Sequence, residues 1–228
     1  VDIGVDVAAI GLQPGRERDR AGVRAAAAER DDARGLIVAP GFIDLHWHGR
    51  NTASDKFEIQ DGVTTSMEME IGVADPAEFA RNRAGKSLVN FGASVGHVPT
   101  RMAVLKDSGD FVPADTASYE RANAEQITSM KFRVEQALKA GAPAVGFGLA
   151  YTQGATYWEV LEMFRLAAKY KAPCFVHMRG PANPKGGDNE RIQGVMEVIA
   201  ASASTGAPLH IVHINSSGHD SVERMLQI

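Results

Sequence analysis

The chain has 228 residues, 44% of them hydrophobic and 23% charged, with a formal net charge of −4. That is room for one large domain or two small ones of ordinary globular composition, with no charge surplus suited to nucleic acid or an anionic membrane surface. No apolar run approaches a membrane span and no signal peptide opens the chain, while the lone Cys174 excludes an internal disulfide and fits a reducing cytoplasm.

In chain order, residues 1–11 (VDIGVDVAAIG) alternate apolar and polar side chains as a half-buried strand or hairpin does. The chain opens on Val1 already inside that pattern, so an earlier start is expected. Residues 14–32 are charged and alanine-rich, a helix or solvated loop without evident chemistry. Residues 35–49 read GLIVAPGFIDLHWHG: a β-branched run, a Pro40-Gly41 break, and a second apolar run ending in His46-Trp47-His48. Strand patterns follow at 62–71, 87–96, 144–150, 174–178 and 209–214. Helical patterns fall at 76–84, 124–140, 156–170 and 190–204, with a last helix starting near Asp220. Between residue 97 and the helix at 124 the sequence reads as a polar connection with a cap near Asp115.

Apolar strands alternating with helices imply a parallel sheet. A doubly wound sheet usually carries a glycine-rich phosphate turn after its first strand; here that strand ends in H-W-H instead. The expected fold is therefore an α/β (β/α)8 TIM-type barrel with about six of its eight units present. Residues 36–228 form the partial barrel, and residues 1–35 are a fragment of a small β domain and a linker. Six units also lead us to expect a continuation beyond Ile228. In such a barrel active sites lie at the C-terminal strand ends.

Ligand-type residues recur at those ends. His46 and His48 would face one side of an extended strand, and neutral imidazole is a common zinc ligand. Glu68 and Glu70 end strand two, His97 strand three, His177 strand five and His213 strand six. Glutamates are almost never fully buried unless paired or ligating, so two within MEMEI require a role. Glu70, nearer the strand end, is the preferred ligand and Glu68 the alternative.

The motifs APGFIDLHWHG, DGVTTSMEMEIG, ALKAGAPAVGFGLAYTQGA, CFVHMRG and LHIVHINSSG, in this order, resemble the amidohydrolase superfamily. Within it the resemblance is greatest to the N-acyl-D-amino-acid deacylase (D-aminoacylase) branch. It implies a metal-dependent amidohydrolase that deacylates N-acyl-D-amino acids, with one or two Zn2+ ions as cofactor. Its partner would be a small-molecule N-acyl amino acid or related amide, in the cytoplasm, with neither nucleic acid nor membrane involved. Carried over, the metal ligands are His46, His48, Glu70, His177 and His213. That branch has a cysteine ligand in strand two, where this chain has glutamate. The carboxylated lysine of hydantoinases is missing from strand four, which argues against cyclic amides.

The resemblance implies zinc-activated water, its pKa lowered from about 15.7 towards about 7. The general base would be an aspartate after strand eight, beyond Ile228, so no catalytic residue is assigned within the chain. Substrate contacts are expected from Tyr151, from Arg179 through a bidentate carboxylate pair, and from His97, for which a structural role stays equally open. Asn215 and Ser216 are weaker candidates for substrate contact. Trp47 and Cys174 are expected in the core, His210 facing the helices, and His219 in a loop or cap. Another amidohydrolase reaction (cyclic amide hydrolysis or deamination) and a non-catalytic barrel remain as alternatives.

Overall fold

The structure is a computed structural model that describes residues 39–49, 51–180, 188–217 and 219–228. The expected β-domain fragment and the apolar run at 36–38 lie outside the described residues. The elements in order are β1 (Phe42–Asp44), α1 (Thr52–Gln60), β2 (Val63–Val73), α2 (Pro76–Arg83), β3 (Asn90–Gly96), α3 (His97–Leu105) and α4 (Thr116–Tyr119). They continue with α5 (Ala124–Lys139), β4 (Val145–Gly148), α6 (Tyr157–Lys169), β5 (Cys174–His177), α7 (Asp188–Thr205), β6 (Leu209–Ile211) and α8 (His219–Met225). Each strand pairs in parallel with the next, giving one sheet of order β1-β2-β3-β4-β5-β6.

Local chemistry places the helix starts. The Asn51 side chain accepts the Ala53 and Ser54 N–H groups ahead of α1, and Asp75 caps α2, whose first residue is proline. Asn123 and Gln126 form a reciprocal capping box on α5. Thr156 caps α6 through Glu159 N–H, but the Glu159 side chain, at the position that would complete such a box, turns inward instead. Two helices were not expected from sequence: α1, and α3, which occupies what reads as a polar connection. Asp115 does cap a helix, the short α4.

The outward face of the sheet (Val95, Val145, Phe147, Cys174, Val176) packs on Met130, Val134, Val160, Met163, Phe164 and Val198 of the helices. Burying side chains of this size contributes about 1.5–3 kcal/mol each. Cys174 is part of this layer, as expected, and burial pushes its thiol well above the ordinary range. The opposite face carries Met69, Ala144, Phe175 and Val212.

The sheet curls strongly. In a flat sheet β2 and β5 would lie about 14 Å apart and β1 and β6 about 24 Å. Yet the Glu70 carboxylate of β2 lies 2.7 Å from His177 of β5. The rings of His46, just after β1, and His213, just after β6, stand 5.0 Å apart. A half-closed barrel thus gathers the ends of β1, β2, β5 and β6 into one place. Among the described residues no helix is long and apolar enough to cross a membrane.

Strand β2 is irregular where it matters. Its pairing with β3 is in step through Glu68–Ala93 and resumes at Val73–Val95, with Gly72 at φ +68° in between. Met69 packs with Phe175 while the adjacent Glu70 pairs with His177. Phe175 and His177 share one face by strand alternation, so two consecutive β2 residues serve the same side. Such a doubling is what a bulge does. The bulged carbonyls press on β4: a Cβ on Gly146 would lie 2.3 Å from the Glu70 carbonyl oxygen, so only glycine fits there.

Candidate metal centre

Glu70 is the hub of the strand-end cluster. It is 1% exposed. Its Oε2 stands 2.8 Å from His46 Nε2, 3.3 Å from His48 Nε2 and 3.7 Å from His213 Nε2, while Oε1 accepts a bond from His177 Nδ1 at 2.7 Å. The imidazoles crowd one another as well: His46 and His48 Nε2 are 3.2 Å apart, and His213 Nε2 is 3.1 Å from His177 Nδ1. Ligand atoms of His46, Glu70 and His213 all lie within 4.8 Å of one another. With Zn–N bonds of about 2.0–2.1 Å, tetrahedral donors sit about 3.3 Å apart. The observed spacings bracket that value, and imidazole nitrogen with carboxylate oxygen is a donor set that suits zinc and similar divalent ions.

Each donor is aimed by its element. β1 ends at Asp44, whose carboxylate accepts the His46 N–H at 2.7 Å. His46 and His48 therefore turn together beyond the strand rather than within it. Trp47 between them is 4% exposed and sits beneath the Arg83 guanidinium, which is 4.8 Å from its ring centroid, as expected of a core residue. His213 lies two residues past β6 with φ +34°, a left-handed conformation that costs a non-glycine residue some energy. Ser216 in the following 3-10 turn approaches His213 Nδ1 at 3.3 Å, so its hydroxyl orients a candidate ligand.

The electrostatics follow from the crowding. Burial is the largest influence on Glu70 and alone would raise its pKa, yet His177 and His48 hold the carboxyl well below its usual range. Hydrogen bonding to Glu68, then to Glu70, raises the His48 pKa to about 9. Burial lowers His46, Glu70 works against this, and the neighbouring His48 and His213 add to the lowering.

Two aromatic rings flank the cluster. Tyr151, in the turn after β4, stands 5.0 Å from the His177 ring; burial and then Glu70 raise its hydroxyl pKa. Phe111, absent from the sequence reading, lies 5.2 Å from the His48 ring at 63°. Its loop is fixed by Asp107, whose oxygens accept the N–H groups of Gly109, Ala114, Asp115 and Ala117. Burial opposes these bonds, but together they hold the Asp107 carboxyl below its usual range. An aspartate followed by one glycine and one proline (DSGDFVPAD) was the available sign of such a loop.

The structure brings together His46, His48, Glu70, His177, His213 and Tyr151. It does not bring in His97, and Arg179 reaches only its margin, on the wall of a small pocket shared with His177 and His213. His97 is fully buried, its Nε2 donating to Glu159 at 2.7 Å and its ring stacked on Phe147. Arg101 grips the same carboxylate through both oxygens at 2.8 Å, so His97 belongs to an internal ion network instead of a substrate pocket. Arg179 spends its guanidinium on Glu197 (2.9 and 3.1 Å) and on the carbonyls of Thr152, Gln153 and Ala155, leaving no fork for a carboxylate. His210 was expected against the helices; it is exposed on β6, its ring 4.7 Å from Phe175. Arg191, on α7, lines that pocket with Arg179, His177, His213 and Ser216.

Three comparisons with known proteins bear on this geometry. No protein-family model matches the chain. D-aminoacylase of Alcaligenes xylosoxydans xylosoxydans is 30% identical over 187 residues, 68% of this chain and 37% of that protein. N-acyl-D-glutamate deacylase of the same organism is 28% identical over 221 residues, 83% of this chain and 42% of the relative. A crystal structure of N-acyl-D-glutamate deacylase from Bordetella bronchiseptica, complexed with zinc and a phosphonate inhibitor, superposes with a TM-score of 0.61 at 24% identity. It covers 86% of this chain and 47% of that one. The chain thus spans about two fifths of the length of the curated relatives it matches.

Proposed function

Taking the chain as a relative of D-aminoacylase and N-acyl-D-glutamate deacylase within the amidohydrolases, we propose that it carries a divalent metal centre that hydrolyses the amide bond of N-acyl-D-amino acids. The six units then form part of an eight-fold barrel, with residues 1–35 contributing to a small β domain. One observation carries the reading: a buried carboxylate, Glu70, stands among four imidazoles delivered by β1, β5 and β6. A cluster of that kind is costly to assemble unless a cation repays it.

His46, His48, Glu70, His177 and His213 would hold the metal. His46, His48 and His213 face Oε2 of Glu70 and His177 faces Oε1, a donor set that would hold one or two divalent ions. A bound zinc supplies Lewis acidity, lowering the pKa of water and polarising the scissile carbonyl. The protein's own part is to fix the donors and to flank the amide with Phe111 beside His48 and Tyr151 beside His177. With both glutamates of β2 engaged, proton transfer to the leaving nitrogen falls to another group; the resemblance assigns it to an aspartate after an eighth strand.

The test is an assay of the complete gene product, loaded with zinc, against paired N-acyl-D- and N-acyl-L-amino acids. Turnover of the D series, abolished by chelation and restored by zinc, is expected. Turnover that survives complete metal removal, or turnover of neither series, sinks the assignment.

A further inference from the structure

Strand β2 buries two carboxylates, and the function proposed above uses one of them. Glu68 is 2% exposed. Its Oε2 accepts a bond from His48 Nδ1 at 2.8 Å, and its Oε1 accepts the N–H groups of Ile71 at 3.2 Å and Gly72 at 3.3 Å. Those two N–H groups fall where β2 leaves its register with β3, between Glu68 and Val73. A bulge frees backbone donors from the ladder, and a buried donor left unpaired costs its full desolvation. The Glu68 side chain reaches forward along its own strand and supplies the missing acceptor. It therefore closes the distortion that turns Glu70 towards His177. The same carboxylate grips one nitrogen of His48 while the other nitrogen faces Glu70.

We propose that Glu68 is a positioning residue, not a metal ligand: it braces the β2 bulge that aims Glu70 and fixes His48 with Nδ1 as donor and Nε2 towards the metal. Both oxygens already accept bonds from the protein, three in all, and these contacts face the bulge and the ring. A carboxylate on the far nitrogen of a ligating imidazole sets its tautomer and orientation, and losing such a partner typically costs 10–100-fold in metal affinity. The His48 half of the proposal rests on the metal-centre reading; the bulge half does not.

Two variants of the complete gene product separate the halves. In Glu68→Gln the amide oxygen still accepts from Ile71 and Gly72, but the NH2 group now meets His48 Nδ1. The ring must then accept there and carry its proton on Nε2, where it blocks ligation. Zinc affinity, measured by competition with a chromophoric chelator, is expected to fall about 10–100-fold. Exchange of the Ile71 and Gly72 amides in the metal-free protein is expected to stay as in the wild type. Glu68→Ala removes both supports, so affinity falls at least as far and the two amides exchange faster. Unchanged affinity in Glu68→Gln overturns the ring half, as does loss of one whole zinc equivalent, which would make Glu68 a ligand. Unchanged amide exchange in Glu68→Ala overturns the bulge half. A wild-type protein that takes up no divalent metal refutes the metal centre and the ring half with it, while the amide measurement still decides the bulge. If Glu68→Ala does not fold, faster exchange in Glu68→Asp, too short to span the bulge, replaces it as the supporting result and unchanged exchange as the contrary one.

Discussion

Replacing Glu159 with alanine tests the reading of His97 as a structural residue. Glu159, Arg101 and His97 are each fully buried, and the carboxylate receives Arg101 Nη1 on both oxygens at 2.8 Å and His97 Nε2 at 2.7 Å. Arg101 also donates from Nε to the carbonyl of Ala117 and from Nη2 to that of Glu120. Removing the carboxylate strands a guanidinium away from water, and breaking a buried pair in this way costs about 3–5 kcal/mol. For a chain of this size each kcal/mol shifts the melting temperature by about 2–4 °C, so a drop of about 6–20 °C is expected. Calorimetry would read it, with a urea midpoint at unchanged slope as the check. Arg101→Met/Glu159→Met leaves no uncompensated charge and should recover most of the loss. A melting temperature within about 2 °C of wild type, accompanied by loss of turnover, would refute the reasoning and return His97 to the active site.

Arg179→Met should lower stability by about 2–4 kcal/mol, because it leaves Glu197 and three carbonyls without their donor; a selective rise in KM at wild-type stability would instead make Arg179 a substrate contact. Gly146→Ala places a Cβ 2.3 Å from the Glu70 carbonyl oxygen, so about 1–3 kcal/mol of stability and part of the zinc affinity should go together, whereas a neutral outcome would contradict the packed bulge. Asp107 has a depressed folded-state pKa, so its contribution is complete above the unfolded value of about 3.9 and is lost as pH falls through the folded one. The melting-temperature gap between wild type and Asp107→Asn should therefore be flat from pH 7 to 5 and narrow below about pH 4; a gap that widens on acidification would reverse the assignment.

Much of the frame was legible because it rests on local pattern. Apolar strands, the helices beginning near residues 76 and 124, and the buried Trp47 follow from periodicity and strand alternation. The grouping of His46, His48, Glu70, His177 and His213 was legible for a different reason: parallel strands end on one rim, which brings residues at several strand ends together. What escaped depends on contacts distant in sequence or on broken regularity. His97 finds Glu159 62 residues away, and Thr156-Tyr157-Trp158-Glu159 spells a capping box whose glutamate is diverted to that pair. Arg179 looked available because Glu197 and the carbonyls at 152–155 converge on it only in the fold. The period of two put Glu68 and Glu70 on one face, with Glu70 preferred only for lying nearer the strand end; the bulge separates them into a brace and a hub.

The account turns on Glu70 holding a divalent ion with the four histidines around it. Diffraction from zinc-loaded crystals, recorded on both sides of the zinc absorption edge, tests this directly. The expected result is anomalous density beside Glu70, within about 2.0–2.2 Å of a carboxylate oxygen and of at least two nitrogens from His46, His48, His177 and His213. Zinc-loaded protein with no anomalous density there, or with zinc held by Glu68 in place of Glu70, would contradict it.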